Sequence, residues 1–158
     1  MTFNQEDGTK HWDDNAECWH RSFGEHDPNR RDLLDPIILE VLGDIKGKQI
    51  LDAGCGDGYL SRKLARQGAS VTGVEISPRM LLFAAEEEER APLAIEYHLA
   101  SCSSLPFLSS SSFDAAVTNN VIQDMDNYEG AFTEFSRILK TGGIYLHIMN
   151  HPCFMTPV

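Results

Sequence analysis

A glycine-dense turn between an apolar run and a helical pattern constrains this chain more than any other feature. Residues 49–64 read Q-I-L-D-A-G-C-G-D-G-Y-L-S-R-K-L, where Ile50 and Leu51 predict a buried strand and Leu60 and Leu64 predict a helix. Glycine reaches backbone angles that are barred to other residues and lets the main chain approach a ligand closely. A strand, such a turn and a helix form the unit that holds a nucleotide-like ligand at the carboxyl end of a parallel strand.

The turn resembles motif I of the class I S-adenosylmethionine (SAM)-dependent methyltransferases, D-x-G-C-G-x-G, which stands here as residues 52–58. The resemblance implies an enzyme that binds SAM and releases S-adenosylhomocysteine. It also implies which residues of the turn bind the cofactor, namely Asp52, Gly54, Cys55, Gly56 and Gly58.

A dinucleotide-binding turn, G-x-G-x-x-G, is the alternative. Counted from Gly54 and Gly56, its third glycine falls on Tyr59. Asp57 would also meet a pyrophosphate at the helix N-terminus, where two negative groups repel each other. An NAD-dependent oxidoreductase is therefore disfavoured but stays open. A third function, from a different class, is a SAM-binding module that has lost catalysis.

Composition narrows the kinds of partner that we expect. The 158 residues predict one domain, and the net charge of −11 disfavours nucleic acid or an anionic membrane as a partner. We see no apolar run near the roughly 20 residues of a membrane span, and the polar residues 1–10 lack a signal-peptide core. The four cysteines form no C-x-x-C pair, which favours reduced thiols in a cytoplasmic protein.

Predicted strands alternate with predicted helices five times along the chain. After the strand that begins at Ile50, the pattern predicts strands over 70–76, 94–100, 113–118 and 144–149. This alternation predicts an α/β fold with a doubly wound, mostly parallel, Rossmann-like sheet and helices on both faces. The family's sheet normally has seven strands, so the resemblance implies that the C-terminal strands are missing. We expect a bare fifth strand to favour self-association through its edge.

The N-terminal segment carries aromatic residues in an otherwise polar stretch. Trp12, Ala16, Trp19 and Phe23 fall at helical spacing and predict an amphipathic helix. Two interpretations stay open and are compatible, since this helix can pack its aromatics on the domain or close over the ligand site. We therefore divide the chain into a helical lid segment, 1–34, and a SAM-binding domain, 35–158.

Three further strand ends carry candidate cofactor contacts. A carboxylate at Glu75 can accept hydrogen bonds from both hydroxyls of a ribose, and Ile76 beside it is a further candidate cofactor contact. We expect the fold to persist without the Glu75 side chain. Ser101 stands where the family's G-D-A-x-x-L-P-F has its aspartate, so the resemblance implies an adenine contact by Ser101 or by the backbone at Cys102. Asn119 matches the asparagine of the family's F-D-x-V-x-x-N and is expected to face the methyl-bearing sulfonium.

The resemblance implies methyl transfer to a small-molecule acceptor. Holding the acceptor in line with the carbon–sulfur bond supplies most of the catalysis, and an oxygen acceptor also needs a general base. His151, just past the fifth strand, is the best-placed catalytic candidate. No metal site is predicted, because the strand-end acids are few and already assigned. The other candidate bases are His11, His20, His26, His147 and Asp124.

Overall fold

The chain folds around a parallel sheet whose strand order reverses at its centre. A computed structural model describes residues 4–23, 27–28 and 30–149. Their five strands are β1 (Gln49–Ala53), β2 (Ser70–Glu75), β3 (Glu96–Leu99), β4 (Phe113–Asn119) and β5 (Leu139–Ile148). They run parallel in the order β3-β2-β1-β4-β5. The reversal between β1 and β4 is the place where ligands bind in open α/β sheets.

Helices connect these strands and cover both faces of the sheet, as predicted. They are α1 (Gln5–Ser22), α2 (Asp35–Leu42), α3 (Tyr59–Arg66), α4 (Pro78–Arg90) and α5 (Tyr128–Ile138). A short π-helical turn, Arg30–Leu34, precedes α2, and a 3-10 turn, Ile122–Asp124, follows β4. The predicted helix start at Ser77 is confirmed, because its Oγ accepts a hydrogen bond from the Met80 N–H at 3.1 Å.

Successive side chains of the central strand pack into two separate hydrophobic cores, one on each face of the sheet. Ile50 of β1 packs in a core with α2 and α3, whereas Leu51 packs on the opposite face with α5. Both residues are fully buried. A central strand that is buried on both faces explains why the adjacent residues Ile50 and Leu51 of β1 are both apolar.

The fifth strand differs from its prediction at its start. Hydrogen bonding begins at Leu139, which pairs with Phe113, and the register then shifts so that Ile144 pairs with Ala115. The intervening segment contains Gly142, whose φ of +80° suits glycine. The predicted break at the glycines is thus an irregularity inside β5.

In the described residues no helix is both long enough and apolar enough to span a bilayer.

Candidate functional site

A cavity opens at the carboxyl ends of the strands, across the reversal between β1 and β4. Nine of the ten cofactor-binding residues suggested by the sequence line it, and Gly58 does not. A Cβ at Gly58, where φ is +76°, would overlap the Tyr97 hydroxyl and approach Ala84 to 3.0 Å. This glycine therefore permits close packing of α3 against β3 and α4. The nine are Asp52, Gly54, Cys55, Gly56, Glu75, Ile76, Ser101, Cys102 and Asn119.

Glu75 organises the glycine turn as well as facing the cavity. Its Oε2 accepts a hydrogen bond from the Gly56 N–H, and its Oε1 accepts from the N–H groups of Ile76 and Ser77, all at 2.9 Å. The residue is only 7% exposed. Burial raises the pKa of its carboxyl group, and the three N–H donors oppose that rise. The expectation that the fold depends little on this side chain is therefore not supported by its contacts.

Asp52 lies at the end of the central strand with a weaker set of partners. The residue is 2% exposed, and its Oδ2 accepts a hydrogen bond from the Ser61 hydroxyl at 2.6 Å. Burial raises the pKa of Asp52 to about 6, and the nearby charge of Glu75 adds to the rise. The site thus contains a carboxyl group that exchanges its proton near neutral pH.

The raised pKa of Asp52 predicts a pH-dependent stability. Its ordinary value is 3.8, so its contribution to stability is full below pH ~4 and is lost as the pH rises through about 6. Asp52→Asn removes this loss. Relative to the native chain, the variant should gain up to about 3 kcal/mol in free energy of unfolding between pH 4 and pH 8. Urea unfolding of both proteins across that range measures it, and parallel pH profiles would contradict the assignment.

The N-terminal helix α1 is docked directly against the glycine turn. The His20 ring pairs through Nδ1 with Asp57 Oδ2 at 2.8 Å and stacks on Phe83 with ring centroids 4.4 Å apart. Asp13 accepts hydrogen bonds from the Ser77 hydroxyl and from the backbone N–H of Arg79. These contacts place Trp12 and Trp19 against the cavity.

Arg30 brings a cation to the cavity that no sequence motif signals. Its guanidinium lies over the Trp19 ring at 5.1 Å and over the Tyr59 ring at 5.9 Å. Its ion pair with Asp27 is long, at 4.0 Å, and its side chain is 12% exposed. In the sequence this residue is simply one half of a basic pair with Arg31, and only the fold separates their roles.

The residues after β4 form the opposite wall of the cavity. Asn120 lines it with a backbone φ of +57°, and its Oδ1 is buried without a hydrogen-bond partner among the described residues. Asp124 also lines it, and burial raises the pKa of this carboxyl group while His11 opposes the rise. The wall after β4 thus contains a buried acceptor without a partner among the described residues and a carboxyl group whose pKa is raised by burial.

Two of the histidines predicted as candidate bases lie outside the described residues, and a third is involved in packing. His151 and His26 lie outside the described residues, whereas His147 is half-buried and pairs through Nδ1 with the Thr118 hydroxyl at 2.9 Å. Burial lowers the pKa of His147 and raises that of the Cys102 thiol to about 12. Cys102 is therefore an inert packing thiol at neutral pH.

Within 4–23, 27–28 and 30–149, no three His, Cys, Asp or Glu side chains cluster as metal ligands would.

These features define a Rossmann-like α/β protein with a cavity suited to a nucleoside ligand. The model of the methyltransferase domain family matches residues 51–147, which is more than half of the chain. The chain therefore belongs to the methyltransferase domain family, as the resemblance in its glycine turn indicates.

Curated relatives agree with this family. A ubiquinone biosynthesis O-methyltransferase from Xanthomonas oryzae pv. oryzae is 29% identical over 139 residues, which cover 85% of this chain and 57% of that protein. A demethylmenaquinone methyltransferase from Tropheryma whipplei is 38% identical over 104 residues, which cover 66% of this chain and 42% of that protein. The chain thus spans about half the length of the curated relatives it matches.

Solved structures share the fold. A phosphoethanolamine N-methyltransferase 2 from Haemonchus contortus, in complex with S-adenosyl-L-methionine, has a TM-score of 0.67 and 29% identity, covering 72% of this chain and 27% of that one. A cyclase, SpnF, has a TM-score of 0.66 and 30% identity, covering 73% of this chain and 43% of that one. The architecture thus serves more than one kind of reaction.

Proposed function

We propose that this chain is the cofactor-binding part of a SAM-dependent methyltransferase that acts on a small-molecule acceptor. The observation that carries the proposal is the acidic wall of the cavity, where Asp52, Asp57 and Glu75 are all buried. Such a wall opposes a pyrophosphate and suits a ligand that carries a sulfonium and an ammonium group. The NAD alternative is correspondingly weakened, and the relatives named above are methyltransferases.

The proposed pose follows the order of the strands. The ribose lies at Glu75, where Oε2 keeps one lone pair for a hydroxyl beside its single backbone donor, whereas Oε1 already accepts from two N–H groups. The adenine lies toward Ile76, Ser101 and Cys102. The sulfonium lies over the end of β1 and faces Asn119 at the end of β4. The amino-acid end extends toward Arg30 across the glycine turn.

Methyl transfer then requires little covalent chemistry from the protein. The acceptor's lone pair forms a bond to the methyl carbon while the carbon–sulfur bond breaks. The electron pair of the broken bond stays on sulfur. The cavity residues position the two molecules and exclude water. For an oxygen acceptor, Asp124 is supported beside His151 as a candidate for the group that takes the proton, because Asp124 lines the cavity. A cytoplasmic location and self-association through the edge of β5 stay predictions.

Titration calorimetry with SAM and with NAD tests the proposal. We expect saturable binding of one SAM per chain and no heat from NAD, because the acidic wall repels the pyrophosphate. Saturable binding of NAD without SAM would overturn the proposal in favour of the oxidoreductase.

A second candidate, a SAM-binding protein that transfers no methyl group, is favoured by the likeness to a cyclase. Tritium transfer from methyl-labelled SAM to a panel of phenols, amines and thiols separates the two. Tight SAM binding with no labelled product from any member of the panel would favour the second candidate.

Arg30 offers a matched pair of variants. We expect Arg30→Met to weaken SAM binding about tenfold, because a charge-assisted hydrogen bond to the ligand's carboxylate is lost. Arg31→Met is the control, since Arg31 lies outside the cavity and pairs with Asp32 at 2.6 Å. Calorimetry that shows equal losses in both variants would contradict the role of Arg30.

We also propose that α1 acts as a lid. Its Trp12 and Trp19 border the cavity, and His20 fastens it to Asp57. Removing residues 1–26 should speed SAM dissociation in stopped-flow measurements by about tenfold or more, because the cofactor then faces open water. We expect the truncation to affect the dissociation rate of SAM more than it affects the melting temperature. An unchanged dissociation rate would contradict the lid.

A further inference from the structure

The three carboxylates of the acidic wall, Asp52, Asp57 and Glu75, differ in the partners that stabilise their negative charge. Glu75 accepts hydrogen bonds from three backbone N–H groups, and Asp57 pairs with the His20 ring. Asp52 is held by neutral Ser61 and faces the like charge of Glu75. Its negative charge is therefore the least stabilised of the three before a ligand arrives.

The fold places Asp52 beneath the middle of any ligand that spans the cavity. In the sheet, Asp52 pairs with Gly73 of β2 on one side and with Val117 of β4 on the other. A ligand that reaches from Glu75, at the end of β2, to Asn119, at the end of β4, must cross the end of β1. In SAM the sulfonium is one bonded carbon away from the ribose, so its positive charge falls near Asp52.

We propose that Asp52 determines the charge specificity of the site, and that binding of SAM drives a proton from Asp52 into solvent. This inference rests on the proposed function. A cation held beside a buried carboxyl group favours its ionised form. The product S-adenosylhomocysteine has a neutral thioether sulfur, so at pH values near or below 6 Asp52 regains its proton when the product replaces SAM. The site thereby prefers the cofactor that still carries a methyl group over the one that has lost it.

Other groups around Asp52 also affect its ionisation. Burial opposes its ionisation, as does the charge of Glu75, whereas Ser61 and Arg30 favour it. The Cys55 thiol also lies close, but burial raises its pKa well above its usual range, so it stays neutral. Tyr97 stays neutral for the same reason, since burial raises its pKa.

Calorimetry of the native chain at pH 5.5 and pH 7.5 tests the inference. Because the pKa of Asp52 is about 6, we expect SAM to bind about fourfold more weakly at pH 5.5, and S-adenosylhomocysteine to change by less than about twofold. At pH 6, titrations in two buffers of different ionisation enthalpy should show release of about half a proton per SAM bound.

Two variants and a control isolate Asp52. In Asp52→Asn, proton release should vanish and the preference for SAM over S-adenosylhomocysteine should fall about tenfold. Ser61→Ala removes the hydroxyl that stabilises the carboxylate, so the pH midpoint of SAM binding should rise by about one unit. Glu129→Gln removes an exposed carboxylate on α5, outside the cavity, and should behave as the native chain does.

The outcomes separate this inference from the proposed function. If SAM binds without proton release, or if Asp52→Asn keeps the native preference for SAM, Asp52 does not set charge specificity while SAM binding itself stands. If the native chain binds neither SAM nor S-adenosylhomocysteine, the proposed function fails, and the inference fails with it.

Discussion

Gly54→Ala is expected to abolish measurable SAM binding, with a loss of affinity of about a hundredfold or more. Gly54 lines the cavity with a φ of +76°, and a Cβ there would lie 2.5 Å from both Cγ atoms of Val121. The new methyl group must therefore push the segment after β4 or shift the glycine turn itself. Either movement displaces the walls between which the sulfonium would lie, and calorimetry with SAM measures the loss.

Gly43→Ala separates this effect from backbone strain. Gly43 ends α2 with a φ of +66°, and a Cβ there would meet nothing within 4 Å. Both alanines thus incur the cost of a left-handed backbone, about 1–2 kcal/mol, but only Gly54→Ala obstructs the cavity. The control should lose stability and bind SAM normally. Equal affinity in the two variants would show that the glycine turn is not the cofactor site.

Glu75→Ala should reduce both the stability of the fold and its affinity for SAM. Removing the carboxylate leaves the N–H groups of Gly56, Ile76 and Ser77 without their acceptor. Each buried, unsatisfied group costs about 1–3 kcal/mol, so we expect about 3 kcal/mol or more of lost stability. SAM affinity should fall at least about tenfold, because the ribose loses a charged acceptor.

Glu75→Gln distinguishes the two roles of this residue. Its carbonyl oxygen can keep part of the backbone hydrogen bonding, but its NH₂ group cannot accept from the remaining donors or carry charge for the ribose. We expect an intermediate stability in chemical denaturation and an affinity close to that of Glu75→Ala. An affinity equal to that of the native chain would refute a charged contact with the ribose.

The fold was predictable because its signals are local. The glycine turn, the helix start at Ser77 and the alternation of strands and helices each depend on neighbouring residues, and the structure confirms them. The start of β5 was missed, because the pairing of Leu139 with Phe113 depends on a distant strand. Tertiary pairing overrides the glycine break that the sequence shows.

The site was harder to predict, because its chemistry depends on distant contacts. No sequence pattern places Arg30 between Trp19 and Tyr59, which come from separate parts of the chain. Nor does the sequence show that Glu75 holds the turn that begins at Gly54, since the Gly56 N–H, which is the donor from that turn, comes close to Glu75 only in the fold. The sequence also makes Gly58 a ligand contact, whereas the structure places it against Tyr97. Roles set by burial and packing emerge only in three dimensions.

A crystal structure of this chain with S-adenosylhomocysteine would show where each part of the ligand binds. We expect a ribose hydroxyl within hydrogen-bonding distance of Glu75, adenine beside Ser101 and Cys102, and the carboxylate of the ligand's amino-acid end near Arg30. The sulfur would lie over the end of β1, next to Asp52. A ligand bound elsewhere, or a ribose that does not contact Glu75, would contradict the proposed cofactor site.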